Sequence, residues 1–322
     1  MKALSDCHVL VTSTSFGRYD PRLKRELEER VGRVSYNESG KPLSPAELVA
    51  LLPDVDGYIA GLDTIDRAAL EAAGQLQVVA RYGVGTDRVD LEAARELGIV
   101  VTNTPGANAI SVAELTVAFI LNLVRPVINA CEQTRSGDWP RMSGLTLEGR
   151  TIGLIGLGAI GKEVAKRLHG FACRLLAYDV LPDEAFAADN HVRLVELDEL
   201  LTTSDIVSLH VPVLAQTRLM VNASFLARMK ERSYLINTAR GELVDEQALI
   251  EAITSGHLAG AALDTFAQEP PGAENTLLCL PQVIPTPHMG SHTDGATNAM
   301  GWMSLRNCLA VLQGGEAINR VV

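Results

Sequence analysis

The chain has 322 residues, and 28 lysines and arginines against 39 aspartates and glutamates give it a formal net charge of −11. Hydrophobic residues make up 47% and charged residues 21%, the proportions of an ordinary globular protein, which excludes wholesale disorder. The acidic balance disfavours a nucleic acid or an anionic membrane as a partner. At about 150 residues per domain, the length favours two domains.

The N-terminal segment and the cysteines predict a cytoplasmic protein. Met1–Asp6 has no basic cluster followed by an apolar core, so we expect no signal peptide. The most apolar stretch, Val112–Val124, is too short to span a bilayer. His288 and His292 have metal-ligand spacing but no evident third ligand, so we expect no metal site. The dispersed cysteines indicate reduced thiols; they are Cys7, Cys131, Cys173, Cys279 and Cys308.

β-rich runs alternate with helical patterns in the first third of the chain, which is typical of a parallel sheet with crossover helices. Ser44 is a predicted N-cap, with Pro45 at the first helical position. The predicted strands are His8–Thr12, Gly57–Ala60, Leu76–Ala80 and Gly98–Thr102, and the predicted helices are Pro45–Leu52, Arg67–Ala73 and Asp90–Leu97.

A second series of the same kind begins at residue 151. Asp245–Ser255 is its best-marked helix, with an aspartate N-cap and Gly256 just beyond its end. The two series together predict two α/β domains, each with a doubly wound parallel sheet. The predicted strands of the second series are Thr151–Ile155, Arg174–Tyr178, Ile206–His210, Tyr234–Asn237 and Leu258–Leu263.

A long apolar helical pattern, Ser111–Thr134, links the two series. It predicts one helix, or two helices that break near Arg125–Pro126, because proline lacks a backbone donor. Ser111 and Glu114 predict a capping box at its start. No strand follows the last helical pattern, Asp294–Gln313, so we expect that helix to pack on the first domain.

A glycine-rich turn follows the strand at 151–155 and opens a helix. Its residues are Gly156, Leu157, Gly158, Ala159, Ile160 and Gly161. In this strand–turn–helix context, G-x-G-x-x-G predicts a pyrophosphate site at the helix N-terminus. Asp179 ends the next predicted strand, 18 residues past Gly161. An acidic side chain there accepts hydrogen bonds from the ribose hydroxyls and repels a 2′-phosphate. The pattern therefore predicts NAD rather than NADP.

Three later segments carry residues suited to catalysis at or soon after predicted strand ends. Arg240 follows an apolar strand, Glu269 lies in a proline-stiffened loop, and His288 lies between Pro287 and a glycine. The carboxyl ends of the strands form the edge where doubly wound folds bind ligands.

These motifs resemble those of the NAD-dependent D-isomer-specific 2-hydroxyacid dehydrogenases, within them the D-3-phosphoglycerate dehydrogenase-like group in a short form. The resemblance covers nearly the whole chain. The segments that carry it, in order, are Ala80–Asp87, Val101–Ala107, the glycine turn, His210–Pro212, Asn237–Gly241, Glu269–Pro270 and Pro287–Ser291.

The resemblance implies a role for each matching residue. His288 would exchange a proton with the C2 oxygen of the substrate, and Glu269 would pair with it and favour its protonated form. Arg240 would bind the substrate carboxylate. Backbone amides of Tyr82, Gly83, Val84 and Gly85 would add to that binding. The implied NAD-binding residues are Gly156, Gly158, Ala159, Ile160, Gly161, Asp179, His210, Val211, Pro212, Thr217, Thr238, Ala239, Asp264, His288 and Gly290.

The chain departs from the family at the expected phosphate site. Members that prefer phosphoglycerate typically carry an arginine after the strand that ends here at Ala60, whereas this chain has no basic residue until Arg67. Arg81, Arg141 or an arginine of a neighbouring subunit could serve instead. The chain also ends at Val322 without the regulatory domain of serine-controlled members, so we expect no feedback inhibition by serine.

The sequence therefore predicts a Rossmann-type NAD-binding domain over 104–290 and a discontinuous flavodoxin-like substrate domain over 1–103 and 291–322. The expected activity is NAD-linked interconversion of a small D-2-hydroxy acid and its 2-keto acid by a homodimer. One alternative is a glyoxylate or hydroxypyruvate reductase, or a reductase of a sulfonated or phosphonated 2-keto acid. An alternative of another class is an NAD-sensing interaction protein similar to the transcriptional corepressors that resemble these enzymes.

Overall fold

Two parallel sheets organise the chain, which a computed structural model describes over residues 2–322. The strands are β1 His8–Val11, β2 Arg33–Tyr36, β3 Gly57–Ala60, β4 Val78–Arg81, β5 Val100–Thr102, β6 Thr151–Ile155, β7 Arg174–Tyr178, β8 Val192–Leu194, β9 Ile206–Leu209, β10 Ser233–Asn237, β11 Leu258–Leu263 and β12 Val283–Pro285. The α-helices are α1 Arg22–Arg30, α2 Pro45–Leu51, α3 Arg67–Ala72, α4 Leu91–Glu96, α5 Ala109–Val124, α6 Val127–Arg135, α7 Ala159–Leu168, α8 Glu184–Asp189, α9 Leu197–Thr203, α10 Ala223–Arg228, α11 Glu246–Thr254 and α12 Asp294–Leu312.

The described chain divides into two units. Unit 1 comprises the residues up to Asn108 together with His292–Val322, and unit 2 is Ala109–Ser291. The predicted boundaries lie five residues earlier at the first crossing and one earlier at the second. Thr104, the first residue of the difference at the first crossing, is fully buried and donates its N–H to the carbonyl of Gly83 within unit 1.

Unit 1 has a five-stranded parallel sheet in the order β2-β1-β3-β4-β5, which is the flavodoxin-like order. The strand β1 is buried at all four positions, as expected for a sheet covered on both faces. The predicted N-cap at Ser44 is confirmed, and the structure adds a capping box, since the Ser44 hydroxyl accepts from the N–H of Glu47 and the Glu47 carboxylate accepts from the N–H of Ser44. The predicted flavodoxin-like fold is confirmed.

The C-terminal helix α12 packs in unit 1, as the sequence predicted. Cys308 Sγ lies 2.8 Å from where a Cβ on Gly57 of β3 would be, so the helix lies directly against the sheet. The indole of Trp302 donates to Asp20 Oδ2 at 3.0 Å, which ties α12 to the segment just before α1.

Unit 2 has seven parallel strands in the order β12-β11-β10-β9-β6-β7-β8. Counted from β6, the first six strands have the Rossmann order, and β12 extends the sheet. The chain reverses direction across the sheet between β6 and β9, which is where this fold binds ligands. The predicted Rossmann-type fold is confirmed.

The apolar pattern at 111–134 forms two helices rather than one. The pair α5 and α6 is bent by 64°, with Pro126 as the N-cap of α6. The predicted capping box of Ser111 is wrong, because α5 begins at Ala109 and places Ser111 inside the helix. Its hydroxyl donates instead to the carbonyl of Gly290 at 2.6 Å.

In residues 2–322, no single helix has the length and apolar composition needed to cross a membrane. The bent pair α5 and α6 meets that test only when the two helices are taken together.

Replacement of Gly153 by alanine tests the packing of β6 against α9. A Cβ at Gly153 would lie 2.5 Å from both Leu200 Cδ2 and Ser204 Oγ, so the sheet and the helix would have to move apart. We expect Gly153→Ala to lower the free energy of unfolding by about 1–3 kcal/mol, measured by urea unfolding.

Gly170→Ala is the matched control, since a Cβ at Gly170 would meet no atom within 4 Å. Equal stability of the two variants would contradict the predicted close approach.

Candidate active site

The turn between β6 and α7 requires its first and last glycines. Gly156 has a φ of +97°, in the left-handed region, and a Cβ there would lie 2.5 Å from the carbonyl oxygen of His210. A Cβ on Gly161 would lie 2.2 Å from the carbonyl oxygen of Gly156. These contacts allow α7 to start close to β6 and to the chain that leaves β9.

The middle glycine is exposed to open space. A Cβ on Gly158 would meet no atom within 4 Å, and no side chain caps the helix that begins at Ala159. The first amides of a helix lack intrahelical acceptors, and Ala159 and Ile160 supply such amides here. An uncapped helix N-terminus with an open backbone beside it binds anions. These residues therefore fit the pyrophosphate of a dinucleotide.

Asp179 connects the glycine turn to the end of β7. Its Oδ2 accepts the N–H of Leu157 at 2.6 Å, and its Oδ1 accepts the N–H of Leu181 at 2.9 Å. The carboxylate is half-buried and lies directly after the strand, at the place where an acidic residue meets the ribose in this fold. Its negative charge at this position disfavours a 2′-phosphate.

His210 directly follows β9 and remains neutral at physiological pH, because burial lowers its pKa to about 4. Its Nε2 lies 3.0 Å from Ser208 Oγ, and its Nδ1 is buried without a hydrogen-bond partner in the described part of the chain. Val211 Cγ1 lies 3.0 Å from the Cβ position of Gly156, so this segment borders the glycine turn.

Thr217 closes the turn that follows His210 and Val211. Its hydroxyl donates to the carbonyl of Pro212 at 2.6 Å and accepts the N–H of Leu214 at 2.7 Å. The hydroxyl therefore orders the Pro212–Leu214 segment, and direct contact of Thr217 with a cofactor stays a prediction.

The carboxyl end of β10 is ordered by Asn237, whose role the sequence analysis missed. Its Oδ1 accepts the N–H of Ala239 at 3.0 Å, and its Nδ2 donates to the carbonyl of Arg240 at 2.7 Å. Arg240 Nη1 in turn donates to the carbonyl of Ala239 at 2.8 Å. Thr238 is buried, with its hydroxyl 3.1 Å from that of Thr116 in α5. An asparagine at a strand end is the signal of an Asx turn and could have indicated this.

The strand register brings three predicted site residues to one edge of the sheet. The strands β10, β11 and β12 pair in parallel with each other. Arg240, Asp264 and His288 come one to three residues after the last paired positions of these strands. Because the carboxyl ends of parallel strands meet at the same edge, these residues share it.

His288 and Glu269 form the central pair of this edge. His288 Nδ1 lies 2.8 Å from Glu269 Oε2, and Glu269 Oε1 accepts the N–H of Phe266 at 3.3 Å. The Nε2 atom of His288 makes no hydrogen bond within residues 2–322. The carboxylate therefore orients the ring and leaves Nε2 as the nitrogen that can exchange a proton.

Asp264 holds the backbone on both sides of this histidine. Its carboxylate accepts from Thr286 Oγ1 at 2.5 Å, from the N–H of Met289 at 2.8 Å and from the N–H of Gly290 at 2.8 Å. His288 has a φ of +50°, which is uncommon for a residue with a side chain. Three hydrogen bonds to one buried carboxylate stabilise this turn. A contact of Asp264 with nicotinamide stays a prediction.

In unit 1, the loop after β4 presents free amides. The N–H groups of Gly83, Val84 and Gly85 have no acceptor in the part of the chain that the structure describes. Successive amides of this kind bind anions.

Tyr82 contributes neither of its donors to such a site, because its N–H donates to the carbonyl of Ala60 and its hydroxyl donates to the carbonyl of Thr297 at 2.6 Å. Burial raises the pKa of Tyr82 to about 12. The role of this loop in substrate binding stays a prediction.

The guanidinium of Arg81 donates hydrogen bonds to the backbone within unit 1. It is buried, with Nη1 donating to the carbonyl of Ala60 at 3.0 Å and Nε donating to the carbonyl of Gly85 at 3.2 Å. Asp63, also fully buried, accepts from the N–H of Leu43 at 2.6 Å and from the hydroxyl of Tyr58 at 2.8 Å. This part of unit 1 thus carries a bonded guanidinium and a bonded carboxylate.

No group of three or more histidine, cysteine, aspartate or glutamate side chains in residues 2–322 is arranged to hold a metal ion.

Comparison with known proteins identifies similar sequences and structures. The family model described as "D-isomer specific 2-hydroxyacid dehydrogenase, NAD binding domain" matches residues 117–290. The hydroxypyruvate reductase of Thermotoga maritima is 39% identical over 287 residues, which cover 88% of this chain and 93% of that protein. A D-3-phosphoglycerate dehydrogenase of Methanocaldococcus jannaschii is 40% identical over 300 residues, or 92% of this chain. The match spans 56% of that relative's length.

A crystal structure of the TT0316 protein from Thermus thermophilus is similar over nearly the whole chain. The TM-score is 0.88 at 39% identity, and the match covers 98% of this chain and 100% of that one. The chain therefore belongs to the D-isomer-specific 2-hydroxyacid dehydrogenases, a family of NAD-dependent oxidoreductases, and residues 117–290 match the family's NAD-binding domain.

Proposed function

We propose that this chain catalyses reversible hydride transfer between NAD(H) and a small D-2-hydroxy acid or its 2-keto acid. The observation that carries the proposal is the His288–Glu269 pair, 2.8 Å apart, at the carboxyl edge of a Rossmann sheet. A paired imidazole at the ligand-binding edge is the arrangement expected of a general acid–base.

The NAD-binding residues of the proposal are the glycine turn and Asp179, and NAD supplies or accepts the hydride when bound. In the reducing direction His288 donates a proton from Nε2 to the carbonyl oxygen at C2, and in the oxidising direction it accepts that proton. Glu269 accepts a hydrogen bond from Nδ1–H of His288 and fixes the orientation of the ring. Arg240 binds the substrate carboxylate, since a planar guanidinium matches two carboxylate oxygens.

The substrate's side chain is uncharged in our proposal, as in hydroxypyruvate or glyoxylate. The residues Ala60–Asp63 include no cation, and Arg81 donates to the backbone carbonyls of Ala60 at the end of β3 and of Gly85 in the loop after β4. The near-complete match in length with a hydroxypyruvate reductase supports the same choice.

A panel of 2-keto acids with NADH tests this function, with oxidation followed by the nicotinamide absorbance. We expect turnover of hydroxypyruvate or glyoxylate, with a kcat/KM at least about tenfold above that of phosphohydroxypyruvate or sulfopyruvate. The phosphate or sulfonate of the latter substrates would leave water without gaining a hydrogen-bonding partner in the protein. His288→Ala should lower kcat by about 10²–10⁴-fold, since it removes the proton donor.

NADH binding, followed by fluorescence, controls for the integrity of the His288→Ala variant and should be retained. Turnover by that variant at the wild-type rate would contradict the proton-transfer role. Preference for the phosphorylated acid would contradict the proposed substrate class.

Replacement of Asp179 by serine tests the choice of cofactor. Removal of the carboxylate removes its repulsion of a 2′-phosphate, so we expect the ratio of kcat/KM for NADPH to that for NADH to rise by about tenfold or more. The control is Asp183→Ser, which removes another carboxylate four residues away. That carboxylate pairs with Lys162 at 2.5 Å. An unchanged ratio in Asp179→Ser would assign discrimination to other residues.

We further propose that the chain forms a homodimer through α6 and the segment after it. Large apolar side chains are exposed here, including Trp139 at 87% and Val127 at 60%, together with Ile128, Met142 and Leu145. Exposed apolar side chains that cluster along one segment mark an association surface. A second copy of the chain is the proposed occupant.

Paired substitutions Val127→Asp and Trp139→Asp test the dimer. Charges would be buried in the interface, so we expect the dimer dissociation constant to rise by more than about tenfold, as measured by light scattering with size-exclusion chromatography. Leu181→Asp, at a side chain equally exposed outside this segment, should leave the dimer unchanged. A monomeric wild-type protein would refute the proposal.

A cytoplasmic location is also proposed, on the state of the thiols. All five cysteines are free, two of them buried and two exposed. Exposed free thiols persist in a reducing compartment.

A further inference from the structure

A carboxylate outside the proposed catalytic set, that of Glu246, bonds to both ends of the loop that carries Glu269. Its Oε1 accepts the N–H of Ala267 at 2.9 Å, and its Oε2 accepts from Asn275 Nδ2 at 2.9 Å. The loop leaves β11 after Leu263 and contains no helix or strand before residue 276. Glu269 therefore lies on an irregular segment, between two points of attachment to one side chain.

Glu246 is not needed to cap its own helix. It is the first residue of α11, and the N-cap is Asp245, whose side chain accepts the N–H of Ala248 at 3.1 Å. The acceptor that the start of a helix requires is thus supplied by the neighbouring residue, Asp245. The Glu246 carboxylate is left to bond the loop.

The start of the loop is packed tightly on its other side. A Cβ on Gly241 would lie 1.9 Å from the carbonyl carbon of Phe266 and 2.4 Å from the nitrogen of Ala267. Gly241 follows Arg240, so the segment with the proposed carboxylate-binding arginine contacts the same peptide that Glu246 bonds. The backbone at 266–267 is held between these two contacts.

Hydrogen bonds connect the Phe266–Ala267 peptide to His288 through Glu269. The N–H of Phe266 donates to Glu269 Oε1 at 3.3 Å, and Glu269 Oε2 lies 2.8 Å from His288 Nδ1. We propose that Glu246 is a positioning residue, which holds the 264–275 loop so that Glu269 stays within hydrogen-bond distance of His288. The effect on catalysis rests on the proposed function, whereas the effect on the Glu269–His288 contact does not.

The variant Glu246→Ala tests this in two ways. Misplacement of Glu269 should lower kcat for keto-acid reduction by about tenfold to a hundredfold, whereas the dissociation constant of NADH should stay unchanged. In the protein without substrate, the His288 Nδ1 proton shared with a carboxylate should give a downfield ¹H NMR resonance, identified by its loss in His288→Ala. Glu246→Ala should shift that resonance upfield or abolish it.

Two further variants separate positioning from stability. Glu246→Gln keeps an acceptor for the N–H of Ala267 but opposes the Asn275 side chain with an amide, so we expect it to restore part of the kcat and of the resonance. Glu251→Ala removes another carboxylate of α11, which is exposed and accepts only from Gln247 of the same helix at 3.0 Å among the bonds described. It should change neither measurement.

A wild-type resonance and a wild-type kcat in Glu246→Ala would overturn the inference. If Glu246→Ala does not fold, judged by near-ultraviolet circular dichroism, Glu246→Gln carries the test, and a wild-type resonance there with unchanged kcat would overturn it equally. If the wild-type protein reduces no keto acid, the proposed function fails, and the resonance alone still decides whether Glu246 positions the pair.

Discussion

The parallel pairing of β10, β11 and β12 at their carboxyl ends is the constraint on which the candidate site depends. Arg240, Asp264 and His288 follow the last paired positions of these strands by one to three residues. Parallel pairing requires a crossover between neighbours, so these residues are distant in sequence and adjacent in space. Arg240 and His288 reach the same edge for this reason, although 47 residues separate them.

Buried or half-buried carboxylates order the backbone around that edge. Asp264 accepts from two amides and a hydroxyl around His288, and Glu246 accepts from the two ends of the loop that carries Glu269. A carboxylate can accept several hydrogen bonds at once, and bonds to a charged acceptor are stronger than those between neutral groups. Irregular segments are thereby held in one conformation without regular secondary structure. The site's acidic residues divide into one that faces the histidine and others that fix the backbone.

Much of the fold and of the site could be predicted because its signals are local. The glycine turn follows directly on a strand, so its spacing is readable in the sequence, whereas the close approach of Gly156 to the carbonyl of His210 is seen only in the structure. The two sheets follow from alternating patterns whose periods differ for strands and helices. The error at Ser111 also has a local origin, since a capping-box pattern occurs inside a helix that starts two residues earlier. Its hydroxyl instead bonds Gly290, a partner 179 residues away that no local pattern could indicate.

The sequence by itself determined the class of fold and the dinucleotide turn, because both depend on residue type at short spacing. The family and the three residues proposed for catalysis followed from the resemblance of several motifs along the chain. Only the tertiary structure decided which donors are used and which remain free. Arg81 is a cation in the sequence, but its guanidinium is bonded to the carbonyls of Ala60 and Gly85. Tyr82 belongs to the loop motif, yet both of its donors are bonded within unit 1. Hydrogen bonds between segments distant in the chain settle such roles, since they depend on packing that only the folded chain creates.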